Sequence, residues 1–179
     1  MKTLRAAFGT LEPLLASHAA EMFAVLSDPA IYEFENAPPA SVDALHARYV
    51  RQQRRGPDDG SEVWLNWVIR LSAGADAGRL AGYVQATVLP DGHALVAYEL
   101  HSRHWRQGIG SAAVRAMLAE LAQSHGVQRF VAVLKRRNHR SAGLLHKLGF
   151  EPADAALDKR FRDAADERVM TRLAAGHLG

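Results

Sequence analysis

Two glycines stand directly ahead of a run of helix-forming residues in the segment HWRQGIGSAAVRAML, which starts at His104. Gly108 and Gly110 carry no Cβ atom, so another molecule can come close to the backbone there. The first turn of a helix has unpaired N–H groups and a partial positive charge, which together attract anions. The pattern predicts a turn that can hold a phosphate group, with a tight turn that binds nothing as the alternative.

Two nucleotide-binding motifs compete to explain these glycines. A Walker A loop requires Gly-Lys-Ser/Thr, which the sequence lacks, so a P-loop NTPase is excluded. The dinucleotide fingerprint G-x-G-x-x-A does fit Gly108 to Ala113. However, the preceding apolar run already ends at Leu100, and the next one ends in Lys-Arg-Arg at 135–137 rather than in an acid for a ribose. Antiparallel-looking strands also precede the motif, so a Rossmann domain is disfavoured.

Length and composition limit the classes of protein to which the chain can belong. It has 179 residues, which suits one domain, and no cysteine, which excludes disulfides and thiolate chemistry. The net charge of +3 favours anionic partners without requiring nucleic acid. Glu12 and Pro13 interrupt the N-terminal apolar stretch, and no segment reaches the roughly 18 apolar residues of a membrane span. We expect one cytoplasmic domain over residues 1–179, with no membrane or nucleic-acid partner.

Histidines and basic residues cluster on either side of the predicted turn. His101 and His104 have H-x-x-H spacing, but no third ligand is in view, so no metal site is predicted. The run Lys-Arg-Arg-Asn-His-Arg at 135–140 is either a solvated face or a basic rim for nucleotide phosphates, and its position after a strand favours phosphate. The run has no interleaved aromatic residues, which disfavours nucleic acid.

The periodicity of apolar residues predicts helices and strands along the whole chain. Helices are predicted over residues 17–28, 41–55, 110–125 and 138–148. Strands are predicted within 4–14 and over 63–71, 79–89, 93–100, 127–134 and 167–173. Short turns join the strands from 63 to 100, which should therefore be antiparallel, and residues 93–134 form one βαβ unit.

Two motifs at compatible separation resemble those of one enzyme superfamily. The stretch Gln-Gly-Ile-Gly-Ser-Ala at 107–112 is similar to the Q/R-x-x-G-x-G/A signature of the GNAT acetyltransferases. Asn138 to Ser141, with Leu145 to Phe150, looks like their second acyl-CoA motif. The match is tight from Val96 to Phe150, and the N-terminal part is similar to the RimJ/RimL-like branch. The resemblance implies a GNAT fold, an α/β domain with a single mixed, mostly antiparallel sheet flanked by helices on both faces.

The resemblance also implies acetyl-CoA as co-substrate and no metal. Acetyl-CoA would enter where the strands at 98–101 and 130–134 part. Backbone amides from Gln107 to Ser111 would hold its pyrophosphate, and Asn138 would hydrogen-bond its pantetheine arm. Where relatives often have arginine then glycine ahead of the glutamine, this chain has Trp105-Arg106, in which Arg106 still favours phosphate. The residues assigned to acetyl-CoA are Leu100, His101, Arg106, Gln107, Gly108, Ile109, Gly110, Ser111, Asn138 and Ser141.

Acetyl transfer to an amine needs a base for the amine and an acid for the leaving thiolate. In relatives the acid is commonly a tyrosine beyond the second motif, and this chain has no tyrosine there. Ser141 is therefore the predicted acid, with a purely structural role at a helix start as its alternative. Glu99 is the only carboxylate in the strand beside the acyl group and is the predicted base. Side chains alternate along a strand, so Tyr98 and Glu99 cannot both face the acyl group without a bulge.

The predicted function is acetyl-CoA-dependent N-acetylation of a primary amine by direct attack on the thioester. An α-amine of a peptide N-terminus or small metabolite is favoured over a lysine. Tyr98 and the acidic residues of the loop IYEFENAPP, Glu33 and Glu35, are the predicted acceptor-binding residues. The alternative is a catalytically impaired, acyl-CoA-binding regulatory module, which the missing tyrosine would suit. The sequence leaves the acceptor unidentified and a homodimer open.

Overall fold

The computed structural model describes residues 1–34 and 36–174, which form eight strands and five α-helices joined by turns and loops. The strands are β1 (Leu4–Ala6), β2 (Gly9–Pro13), β3 (Val63–Leu71), β4 (Leu80–Val88), β5 (His93–Leu100), β6 (Arg129–Lys135), β7 (Glu151–Pro152) and β8 (Glu167–Leu173). The α-helices are α1 (Ala19–Leu26), α2 (Val42–Gln52), α3 (Ile109–Ser124), α4 (His139–Lys147) and α5 (Ala155–Phe161).

The strands form one sheet in the order β1-β2-β3-β4-β5-β6-β8-β7. Neighbouring strands are antiparallel except for β5 and β6, which are parallel and joined through α3. The parallel pair needs this helical crossover, whereas the hairpins around it need only short turns. The prediction of a mixed, mostly antiparallel sheet is therefore confirmed.

The contact between β5 and β6 is short. Only three residue pairs join the two strands, from His93 opposite Arg129 to Leu95 opposite Val131. The outer neighbours are held along much more of their length, because seven pairs join β4 to β5 and seven join β6 to β8. Beyond Leu95 and Val131 the two parallel strands part, which opens the middle of the sheet.

Helices cover both faces of the sheet, as predicted. On one face α3 and α4 bury Met117 and Leu145 against Phe130 in the larger core. On the other face α1 and α2 bury Met22 and Leu45 in a smaller core. The burial follows from the helical spacing of apolar residues, which gives each helix one apolar side.

Strand alternation along β5 decides which side chains face which core. Tyr98 and Leu100 pack against the α3 and α4 core. Glu99 points to the opposite face and is paired in register with Tyr83 of β4, which packs against the α1 and α2 core. No bulge separates Tyr98 from Glu99 in this register, so the two side chains lie on opposite faces.

The N-terminal and C-terminal parts differ in detail from the predicted elements. The strand predicted within residues 4–14 is a hairpin of β1 and β2, and Gly9 sits at its turn with φ of +143°. The first helix is predicted to begin at residue 17, but a 3₁₀ turn occupies 16–18 and α1 begins at Ala19. The short α5, whose cap is Asp154, was not predicted because only seven residues form it.

None of the helices formed by residues 1–34 and 36–174 is long and apolar enough to cross a membrane. The same residues contain no group of three or more histidine, aspartate or glutamate side chains arranged to hold a metal ion.

Candidate functional site

A cavity of about 410 Å³ lies where β5 and β6 part. Tyr98 and Leu100 line it from one strand, and Leu134 lines it from the other. Glu99, on the opposite face of β5, lines it as well. Because side chains of both faces contribute, the cavity passes through the sheet and gives two molecules access to each other from opposite sides.

At the edge of this cavity α3 begins without a capping side chain. Its N-cap residue is Gly108, with φ of +80°, and Arg106 also has a positive φ of +62°. By contrast, α2 and α4 begin at Ser41 and Asn138, whose side chains accept an N–H group of the first turn. The first N–H groups of α3 are thus left for another acceptor, at a turn whose left-handed backbone favours a concave arrangement of donors. The arrangement is suited to an anion such as a phosphate group.

The predicted acetyl-CoA residues divide between the cavity and its surroundings. Those that line the cavity are Leu100, Arg106, Gly108, Gly110, Ser111, Asn138 and Ser141. Gln107 and Ile109 line a groove on the other side of the turn, where Gln107 Nε2 donates to the carbonyl oxygen of Arg103 at 2.8 Å. The imidazole of His101 lies against Asp28, with 3.2 Å between Nδ1 and Oδ2, and it lines neither space. The acetyl-CoA roles of all these residues stay predictions.

Within residues 1–34 and 36–174 the Asn138 side chain makes one hydrogen bond, through its oxygen. Its Oδ1 accepts the N–H of Ser141 at 3.0 Å and so caps α4. The Nδ2 group carries two further donors, and the residue lines the cavity. One side chain can therefore stabilise the helix start and also donate to a carbonyl group of a bound molecule.

Two substitutions of Asn138 separate these tasks. Serine is as good an N-cap as asparagine but lacks the amide donor, whereas alanine has neither group. We expect Asn138→Ser and Asn138→Ala both to weaken acetyl-CoA binding about fivefold, the effect of one lost hydrogen bond. Only Asn138→Ala should also lower the free energy of unfolding, by about 1 kcal/mol. Calorimetric titration and urea denaturation measure the two effects, and wild-type affinity in Asn138→Ser would assign Asn138 to the helix cap alone.

A tyrosine and a serine from distant parts of the chain meet in the cavity. The hydroxyl of Tyr98 on β5 lies 2.7 Å from Ser141 Oγ on α4, and either oxygen can donate. Burial raises the pKa of Tyr98 to about 12, against a smaller opposite effect of this hydrogen bond. Both hydroxyls are therefore protonated near neutral pH and can pass a proton between them. Ser141 thus lies in the first turn of α4, as its alternative interpretation requires, and its hydroxyl also faces the cavity.

Glu99 lies where two cavities meet. It lines the main cavity and a second one of about 380 Å³ on the α1 and α2 face. Among the described residues that line these two spaces, Glu99 is the only carboxylate. Burial, followed by the charge of Glu99, raises the pKa of Tyr32 to about 12 and also raises that of Tyr83. A molecule in the second cavity would therefore meet the carboxylate of Glu99, neutral phenols and the guanidinium of Arg48.

Two residues of the predicted acceptor loop IYEFENAPP, Glu33 and Phe34, contact Arg140 in the first turn of α4. The guanidinium carbon of Arg140 lies 3.7 Å from the ring centroid of Trp105 and 5.7 Å from that of Phe34. The same guanidinium bonds Glu33 at 3.2 Å. Glu33 thus holds Arg140 and does not line either cavity, while Glu35 lies outside the described residues. Their roles in acceptor binding stay predictions.

The basic run at 135–140 splits into two parts. Lys135 bonds Asp166 at 3.0 Å and Glu167 at 3.1 Å, so it is held at the place where β8 begins. Arg140 lines the main cavity, as does Arg106 across from it. The guanidinium of Arg140 is already paired with Glu33, so a phosphate group at this end of the run would share it with that carboxylate.

Three side chains of α2 line the second cavity, although no functional role is predicted for this helix from the sequence. They are Arg48, Tyr49 and Gln52, which lie within about one helical turn. Tyr49 is 1% exposed, so α2 buries a polar ring where its pattern predicts an apolar residue. The available signal in the sequence was the pair Arg48-Tyr49, which puts a tyrosine at a position of α2 where the helical spacing predicts an apolar residue. It was missed because no motif covers this part of the chain.

Comparisons with known proteins identify the family of this domain. The family described as "Acetyltransferase (GNAT) domain" matches residues 10–151, which is most of the chain. No curated protein matches the sequence.

Several solved structures have a similar fold. RimL, a ribosomal L7/L12 alpha-N-protein acetyltransferase in complex with coenzyme A, is 16% identical, with a TM-score of 0.80 over 96% of this chain and 98% of that chain. The ribosomal-protein-S5-alanine acetyltransferase of Vibrio fischeri is 16% identical, with a TM-score of 0.77 over 98% of both chains. The microcin C7 self-immunity acetyltransferase, in complex with acetyl-CoA and AMP, is 14% identical, with a TM-score of 0.72 over 92% of this chain and 91% of that chain.

Proposed function

The chain belongs to the GNAT acetyltransferase family, and on this basis we propose that it transfers the acetyl group of acetyl-CoA to a primary amine. The observation that carries the proposal is the cavity through the sheet between β5 and β6. An uncapped helix start suited to phosphate borders this cavity, and a carboxylate faces it from the opposite side of the sheet. Solved relatives of the same fold bind coenzyme A or acetyl-CoA, which supports the choice of co-substrate.

The start of α3 binds the pyrophosphate in this proposal. The donors are the backbone amides from Gln107 to Ser111, and Arg106 adds a positive charge beside them. The pantetheine arm then runs between the parted strands, where Asn138 Nδ2 donates to one of its carbonyl groups. Binding at both places holds the thioester where the cavity crosses the sheet, which converts an encounter between two molecules into a reaction within one site.

The Tyr98 and Ser141 hydroxyls supply the acid. The amine nitrogen attacks the thioester carbonyl carbon, the carbon–sulfur bond breaks, and the departing sulfur takes a proton from the nearer hydroxyl. The second hydroxyl replaces that proton across their 2.7 Å hydrogen bond and regains its own from solvent before the next turnover. The pair thus fills the role for which the sequence offered no tyrosine after the second motif. This weakens the case for a binding module without chemistry.

Glu99 is the base that this proposal assigns to the acceptor side. It is the only carboxylate among the described lining residues, and it takes the proton lost by the attacking amine, directly or through water. A carboxylate is a weak base for a lysine ammonium group, whose reference pKa is about 10.4. An α-amine has a reference pKa of about 7.7 to 8.0, so about a tenth of it is already neutral at pH 7.

The proposed acceptor is therefore an α-amine, on a peptide or a small metabolite. In a competition within one peptide that carries both an α-amine and a lysine, we expect predominant α-acetylation at pH 7. Mass spectrometry locates the acetyl group. Predominant ε-acetylation would show that the site contains a stronger base than Glu99.

Thiol release distinguishes this enzyme from an acyl-CoA-binding regulatory module. We expect acetyl-CoA to release its thiol in the presence of a suitable amine from a panel of amino acids, polyamines, aminoglycosides and N-terminal peptides. Tight binding of coenzyme A, with no thiol release by any of these amines, would instead support the module.

A further inference from the structure

The second cavity, which we call the acceptor chamber, has features that select among amines. It lies on the α1 and α2 face, holds about 380 Å³ and meets the main cavity at Asn36, Tyr83, Gln85 and Glu99. That volume suits a group the size of one or two residues. Its far wall is α2, which contributes Arg48, Tyr49 and Gln52. The inference drawn from it rests on the proposed function, because it concerns the part of the acceptor that does not react.

Arg48 is the only cation among the described residues that line the acceptor chamber. It does not line the main cavity, so its charge is separated from the thioester side. Its field reaches several chamber hydroxyls, because it opposes the effect of burial on the pKa of Tyr32 and of Tyr49. Glu99 lies at the junction with the main cavity, so the chamber has a negative end near the chemistry and a positive end away from it.

Two buried polar atoms beside Arg48 add hydrogen-bonding capacity to this positive end. The side-chain oxygen of Gln52 has no hydrogen-bond partner within residues 1–34 and 36–174, and the hydroxyl of Tyr49 has only a weak interaction with the guanidinium of Arg48. A buried polar atom without a partner costs roughly 1 to 3 kcal/mol, so proteins rarely keep one without use. The Gln52 oxygen requires a donor, and the Tyr49 hydroxyl can donate or accept.

We propose that the acceptor chamber selects amines that carry an anionic group, a carboxylate above all, at the end away from the reacting nitrogen. The reacting amine lies at the Glu99 end, the anion pairs with the guanidinium of Arg48, and an N–H or O–H of the acceptor donates to Gln52 Oε1. A carboxylate on the second residue of a peptide and a side-chain carboxylate of a small amino acid present the same chemistry. Arg48 is thus a specificity-determining residue.

Two pairs of acceptors test the charge and also distinguish the two sources of it. The peptide pair is alanyl-aspartyl-alanine amide and alanyl-asparaginyl-alanine amide, and the small pair is glutamic acid α-amide and glutamine α-amide. The members of each pair have nearly the same shape and differ by one negative charge. We expect kcat/KM to be about tenfold higher for the anionic member of the preferred pair, which is the effect of one charge-assisted hydrogen bond. Equal values within both pairs would overturn the inference.

Variants of α2 show whether Arg48 causes the preference. Arg48→Met should bring the ratio of kcat/KM for the anionic acceptor to that for the neutral acceptor close to one, whereas Arg48→Lys should keep part of the ratio. Arg51→Met is the matched control, because Arg51 lies on the exposed side of the same helix and lines neither cavity. A ratio that survives Arg48→Met would overturn the role of Arg48.

Product binding tests the inference without turnover. The N-acetylated forms of the same compounds are titrated calorimetrically into the protein saturated with coenzyme A. The anionic product should bind about tenfold more tightly than the neutral one to the wild type and to Arg51→Met, but not to Arg48→Met. Charge-dependent binding without any thiol release would contradict the proposed function and leave the chamber's selectivity standing. Thiol release with charge-independent product binding would support the proposed function and contradict the selectivity of the acceptor chamber.

Discussion

Replacing Gly110 with glutamate should weaken acetyl-CoA binding at least about a hundredfold, the loss expected when two charge-assisted hydrogen bonds disappear. A Cβ at Gly110 would lie 3.2 Å from Leu144 Cδ1 and 3.9 Å from Leu100 Cδ2. A side chain at this position is therefore directed between α4 and β5, into the cavity. A glutamate there would put a negative charge on the donors at the start of α3 and repel the pyrophosphate.

Gly143→Glu is the matched control for this variant. Gly143 lies on the exposed side of α4, and a Cβ there would meet nothing within 4 Å. The same change of residue and charge should leave acetyl-CoA affinity near the wild-type value. Circular dichroism should show that both variants keep the fold. Unchanged acetyl-CoA affinity in a folded Gly110→Glu variant would show that the start of α3 does not bind the pyrophosphate.

The second large effect concerns the hydroxyl pair. Tyr98→Phe and Ser141→Ala should each lower kcat substantially, by up to about a hundredfold, because general acid catalysis contributes that order of magnitude. The double variant should be little worse than the more damaged single variant, because two groups that relay one proton act as a unit. The dissociation constant of acetyl-CoA should change little in all three, since the proton is needed only as the thiolate leaves.

The pH dependence provides an independent readout of the same acid. An acid catalyst is lost when pH rises through its pKa, and burial raises the pKa of Tyr98 to about 12. The wild type should therefore show no fall in kcat from loss of this proton up to about pH 10.

Two outcomes of the substitutions would contradict the shared acid. An unaltered kcat in Ser141→Ala would assign Ser141 only a structural role in the first turn of α4. Fully additive losses would mean that the two hydroxyls act separately.

The features that could be predicted from the sequence are those that neighbouring residues determine. The turn at Gly108 and Gly110 and the start of α4 are each specified by a few consecutive residues, because helix starts depend on local donors and caps. Antiparallel strands joined by short turns are specified in the same way. These parts of the fold, and the order of elements from β3 to β8, agree with the prediction apart from β7 and α5.

The functional pairs that could not be predicted join residues far apart in the chain. Tyr98 and Ser141 are separated by 43 positions, and only the parting of β5 from β6 brings α4 over Tyr98. The alternation of side chains along β5 predicts that Tyr98 and Glu99 lie on opposite faces of the sheet. It does not predict which helices cover each face. The position of Arg48 beside the second cavity could not be predicted either, because α2 reaches the site only through its packing in the α1 and α2 core.

The short junction between β5 and β6 also determines how stability is distributed over the sheet. Seven residue pairs fasten each of these strands to its outer neighbour, but three fasten them to each other. Local opening is least costly where the fewest backbone hydrogen bonds and buried contacts must break. The sheet thus has a weak line at its centre, held by as few pairs as the edge strand β1, which makes three, and nearly as few as the edge strand β7, which makes two. Amide protons of Val96 to Leu100 that face this line should exchange with solvent sooner than those in the middle of β3 and β4. A ligand bound between β5 and β6 would add contacts between the two halves of the sheet and so raise the free energy of unfolding of the domain.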